Sequence, residues 1–147
     1  MLHDMRFADL PADWAQRPIT DPEVFEGVVD LIVAEQTRAD GATYVLFCHE
    51  GGRLMQPLCV PDEPLAGGEG PMLERLTRML TEAVGQRVHD VVMVIARPGR
   101  PTPTARDHDR RVAFEGACRA AGARLLGVAI AASAGVLDFP ADGPVAA

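Results

Sequence analysis

The sequence predicts a single-domain α/β protein, a mixed β-sheet flanked by helices, and three observations carry that prediction. The first is the continuous apolar run "VVMVIA" at 91–96, which leaves no solvated face and so fits a strand covered on both sides. The second is helical spacing of apolar residues in 70–85 and again in 104–122, before and after that run. The third is the order of strand-like and helix-like segments, α-β-β-α-β-α-β-β, with no internal repeat and no low-complexity linker. A chain of 147 residues is long enough for one such domain with a sizeable core.

Residues 1–19 read as an N-terminal arm without a clear period, in which Phe7, Leu10 and Trp14 can pin onto the core. A first helix is expected from Thr20, with Thr20 as N-cap, Pro22 in the first turn and Glu23 completing a capping box. Its apolar positions run from Val24 and Phe25 to Ile32, and Gly41 marks the stop. "ATYVLFCHEGGRLMQPLCVPD" reads as two strands joined by the turn "HEGG", and Pro57 confines the second strand to an edge or a bulge. A loop over 63–71 leads into a helix with Pro71 at its start and Met72, Leu73, Leu76, Met79, Leu80 and Val84 on one face. The buried strand follows. A third helix runs to its cap Gly122, burying Ala113, Phe114, Ala117, Cys118 and Ala121. Strands over 123–132 and 135–139 turn through "SAG" and close a domain spanning 20–140, and the tail 141–147 reads as disordered.

Composition narrows the chemistry. Net charge is −7, which disfavours nucleic acid and anionic membranes as partners. No apolar run approaches the roughly 20 residues of a membrane span, and the N-terminus lacks the pattern of a signal peptide, so a cytoplasmic protein is expected. All 14 basic residues are arginine, and asparagine is missing too, as in a GC-rich bacterial genome. Schiff-base chemistry and a P-loop lysine are therefore excluded. Ser133 is the only serine and sits in a turn-like stretch without a nucleophile elbow. Cys48, Cys59 and Cys118 show no CxxC spacing and read as buried thiols of a reducing compartment.

Two clusters could carry chemistry. Cys48, His49 and Glu50 place a thiol, a base and an acid in succession, but neighbours in a strand point to opposite faces. The connection "ARPGRPTPTARDHDRR" packs Arg97, Arg100, Arg106, Arg110 and Arg111 around a helix start, where Arg97, Arg100 and Arg106 could hold a small anion or nucleotide. Thr104 and Asp107 stand at N-cap and N3 spacing of that helix, and Asp107 and Asp109 offset part of the positive charge. The four histidines form no H-x-H or H-E-x-x-H pair, so no metal site is read from them.

The run from Pro98 to Gly127 resembles the JAB/MPN metalloprotease-like domain, in particular its RadC-type branch. In that family a buried strand ends in H-x-H, and a P-x-G-x-P-x-P-S-x-x-D segment then caps a long helix. Here Gly99, Pro101, Thr102, Pro103, Thr104 in place of the serine, and Asp107 follow the second part without a gap. The resemblance implies a cytidine-deaminase-like architecture and places the family's two metal-binding histidines on Val94 and Ala96. Its third ligand falls on Asp107, and the Asp-His pair after the helix falls on Gly127 and Val128. No residue stands for the general-base glutamate in register; Glu50 and Gln56 are the nearest in the hairpin. A catalytic zinc needs three protein ligands, and one carboxylate does not supply them.

The resemblance thus implies a pseudoenzyme without metal or other cofactor, acting as a protein-interaction or scaffold module. A protein partner or a homodimer is expected, through the strand edge at Pro57 or through a second apolar side of the first helix at Val29 and Val33. A hydrolase built on Cys48 and His49, and an anion or nucleotide sensor built on the arginine loop 97–111, are the alternatives.

Overall fold

The computed structural model describes residues 9–62 and 70–140. His3 and Phe7, most of the loop expected over 63–71, and the tail 141–147 lie outside the described residues. The described elements are α1 (Phe25–Ile32), α2 (Glu35–Asp40), β1 (Ala42–Cys48), β2 (Leu54–Pro61), α3 (Gly70–Gly85), β3 (Asp90–Arg97), α4 (Ala105–Ala121), β4 (Arg124–Ala132) and β5 (Gly135–Asp138). A short 3-10 turn at Trp14–Gln16 precedes them. The fold is α/β, as expected: a five-stranded mixed sheet in the order β2-β1-β3-β4-β5. β3 and β4 are parallel and joined through α4; the other neighbours are antiparallel. Among the described residues no helix is long and apolar enough to cross a membrane.

Alternation along β3 divides the core into two clusters. Val92, Val94 and Ala96 pack with Val28, Val29 and Val33 on the α1 side. Val91, Met93 and Ile95 pack with Leu76, Leu80, Phe114 and Cys118 of α3 and α4 on the other. Both faces of β3 are covered, which is why the run 91–96 could be apolar throughout. Pro57 lies on the outermost strand β2, where its missing N–H costs the sheet no bond.

The first helix departs from expectation in two ways. It starts at Phe25, not near Thr20, and Asp21 rather than Thr20 organises the entry: Asp21 Oδ1 accepts from Glu23 N–H at 2.9 Å. It is also two helices. Val33 is extended (φ −90°, ψ 106°), and Arg38 folds back so that its Nε donates to Val33 O (3.2 Å) and Nη2 to Asp30 O (3.3 Å). Those carbonyls at the end of α1 are satisfied by a side chain, so the chain can bend where a continuous helix would have bonded them to backbone. Gly41 closes α2 at φ 87°, a backbone conformation that favours glycine, and a Cβ there would stand 2.7 Å from Asp62 Oδ2, so that the Asp62 side chain would have to shift.

Three smaller expectations are corrected. Val29 and Val33 are core residues, so α1 has no second apolar side built from them. Ala113 is exposed on α4 and Cys59 is exposed on the edge strand β2; Cys48 and Cys118 are buried, and all three thiols are free.

Candidate functional site

Open α/β sheets place ligands outside the carboxyl ends of parallel strands. In this chain that end, where β3 runs into α4, is the stretch 97–107. Thr104 caps α4 in extended conformation (φ −113°, ψ 169°), its hydroxyl accepting from Asp107 N–H at 3.2 Å. Asp107 Oδ2 in turn accepts from Thr104 N–H at 2.9 Å, completing the capping box expected from the sequence. Gly99 turns the loop at φ 90°.

Arg97, the last residue of β3, follows Met93 and Ile95 in pointing to the α4 side, and every donor it has is used. Its Nε donates to Asp107 Oδ1 at 2.9 Å and Nη2 to Asp107 Oδ2 at 2.7 Å, a bidentate pair. Nη1 donates to Pro98 O (3.1 Å) and Arg100 O (2.7 Å), and Nη2 again to Thr102 O (3.0 Å). A guanidinium has five N–H groups, so none is left for an external anion. Asp107 is only 1% exposed. Burial alone would push its carboxyl up, but the bonds from Arg97 and from the Thr104 N–H outweigh burial and hold it below the ordinary carboxylate range.

Two neighbouring arginines bind near the same end, and a third lies further along α4. Arg110 Nη2 donates to Thr43 Oγ1 (3.0 Å) and Asp62 Oδ1 (2.9 Å). Arg38 Nη1 reaches Ala132 O, the last carbonyl of β4, at 3.3 Å. Arg111 lies over the Phe139 ring at 4.2 Å and donates to Pro140 O at 2.6 Å. Of the three anion candidates, Arg97 is consumed inside the loop, bonding Asp107 and the Arg100 carbonyl, while Arg100 and Arg106 are exposed.

The positions assigned to a metal by resemblance do not converge either. Val94 and Ala96 are 0% exposed within the α1-side cluster and carry no donor atom. Asp107 is engaged from the opposite side of the strand, with both oxygens bonded to Arg97. This donor set does not fit a metal ion, and among the described residues no group of three His, Cys, Asp or Glu could hold one.

Cys48 and His49 fare no better as a nucleophile and base. Cys48 ends β1 with its Sγ buried against Leu46 O at 3.5 Å. Burial, with Asp90 adding charge repulsion, pushes this thiol up to about 12, so it stays protonated at neutral pH. His49 belongs to the hairpin turn, where its N–H donates to Arg53 O at 2.8 Å.

Sequence reasoning offered Arg97 as an anion-holding residue and missed its partner, Asp107. The signal was present: a strand-final residue two positions after Ile95 must face the helix that follows, and the cap acid of that helix is the nearest charge. No family model matches the chain, and a search of curated proteins finds no match.

Proposed function

We propose that the chain is a metal-free module of JAB/MPN-like, RadC-related architecture that acts by binding another protein rather than by catalysis. The observation that carries this reading is the Arg97–Asp107 pair. A guanidinium is bonded to both oxygens of the carboxylate that, by resemblance, would ligate zinc, and supplies the positive charge that a metal would otherwise supply. Val94 and Ala96 support it, because side chains without donor atoms fill the other two ligand positions. The strand-to-helix loop keeps its prolines, its glycine and its capping box, features that serve the fold independently of a metal. Neither alternative gains comparable support: the thiol of Cys48 is buried and protonated, and Arg97 is saturated.

Metal content of the natively purified protein tests the reading. Substoichiometric zinc, together with no cleavage of peptide or isopeptide bonds with or without added zinc, is the expected result. Stoichiometric zinc that is lost when Asp107 is replaced by asparagine would overturn it.

A further inference from the structure

On the α3/α4 side of the sheet, a groove of about 150 Å³ lies between the first half of α3 and the first half of α4. Buried Leu76, Met93 and Phe114 and half-buried Met72 and Leu73 give it an apolar lining. Two polar side chains line it as well, Thr43 and Arg110, and among the described residues no acid does.

Both polar groups carry donors in excess. Where Arg97 has every donor used, Arg110 gives only Nη2, to Thr43 Oγ1 and Asp62 Oδ1, although its side chain is 10% exposed. Its Nε–H and both Nη1–H bonds meet no acceptor among the described residues. Thr43 is 1% exposed. A guanidinium only donates, so the Thr43 hydroxyl accepts from Arg110, and its own proton has no acceptor among the described residues. Asp62 offsets the charge of Arg110, but through one oxygen and from a side chain that is 31% exposed. Gly70, Met72 and Leu73, in the first turn of α3, add the positive end of a helix. The groove thus lacks an acceptor, and buried donors are costly to leave unmet.

We propose that this groove binds a small apolar carboxylate, an aryl or branched-alkyl acid. Its carboxylate accepts from Arg110 and from the Thr43 hydroxyl, and its body lies among Met72, Leu73, Met93 and Phe114. A space of this size holds a body of about six carbons, and flexible methionines adapt to its outline. A nucleotide is too large and too polar for it. A peptide strand finds no free edge there, because β1 and β3 each have a neighbour on both sides. A neutral hydrocarbon leaves the donors unmet. The inference goes beyond the reading of the chain as a metal-free module and does not rest on it, since none of the residues it uses is among the positions assigned to a metal.

The probe is benzoate, titrated against protein with isotope-labelled methionine methyls and compared with benzamide, a neutral molecule of the same shape. The NMR signals of Met72 and Met93 should move and saturate while that of Met55, on the edge strand β2, stays in place. Benzoate should bind about tenfold more tightly than benzamide, and Arg110→Gln should erase the preference. Asp62→Asn removes the competing carboxylate and keeps both donors, so it should tighten benzoate about threefold. Should Arg110→Gln fail to fold, the benzamide comparison and Asp62→Asn decide. Equal affinity for the two probes, no saturable shift at Met72 and Met93, or an Asp62→Asn variant that binds benzoate no more tightly would each overturn the proposal. The zinc content of the protein decides the metal-free reading separately, whatever benzoate does.

Discussion

Two helix starts in this molecule carry nearly the same sequence signal and come out differently. Before α4, Thr104 and Asp107 form a reciprocal capping box. Before α1, Thr20 and Glu23 have the same spacing and form none; the helix begins later, and Asp21 holds the turn. An arginine stands beside the carboxylate in each case. Arg97 comes from the preceding strand and bonds Asp107 through both oxygens, leaving Oδ2 in place to accept from the Thr104 N–H. Arg17 lies outside the helix and draws Glu23 to itself, Nη1 to Oε2 at 3.1 Å, away from the cap. In both places a guanidinium bonds the carboxylate that could complete the box, and only Asp107 still accepts from the cap N–H.

The harshest way to break the comparison is to ask whether a metal could replace Arg97 at the start of α4. In the variant Val94→His/Ala96→His, both imidazoles enter the α1-side core, where neither meets Asp107. Burying two polar rings and adding bulk at a packed alanine should together cost several kcal/mol, a large part of a domain's total stability. Thermal melts with and without zinc check this. A zinc-dependent rise in Tm would mean that the strand can present these positions to Asp107.

The next largest effect should come from Asp107→Ala. It removes the cap acid and strands the Arg97 guanidinium, so about 3 kcal/mol or more is expected from urea unfolding. The pH dependence follows from the lowered carboxyl. In the unfolded chain Asp107 binds a proton at higher pH than in the folded one, so its contribution is fully present above the unfolded value of about 4. That contribution is lost as pH falls through the lower folded value. Asp107→Asn should flatten the stability profile in that acid window; an unchanged profile would show that Arg97 does not hold the charge.

Much of the fold could be read along the chain because its cues are local. The covered strand at 91–96, the cap at Gly122 and the edge position of Pro57 each depend on one short segment and its period. What could not be read depends on partners far apart in sequence. Arg38 breaks the first helix by reaching Ala132 as well as its own neighbourhood, and Arg110 ties Thr43 to Asp62. The candidate site shows the same division. Thr104 and Asp107 were legible as a box, whereas the saturation of Arg97 required knowing which carbonyls the loop would turn inward.

The smallest expected effect sharpens the comparison most. Thr104→Ala removes a hydroxyl that accepts from Asp107 N–H, and losing such a cap typically costs about 1 kcal/mol. Thr20→Ala removes a hydroxyl with no role at the start of α1, and the change should stay within about 0.5 kcal/mol. The two substitutions are chemically identical, and both positions are exposed, so the unfolded-state terms largely cancel between them. The difference between their urea midpoints therefore isolates the cap itself. Equal losses would mean that Thr20 caps α1 in solution and that Arg17 does not take Glu23 from it. A much larger loss at Thr104 alone would mean that the box and the Arg97 pair fail together, as one unit holding the start of α4.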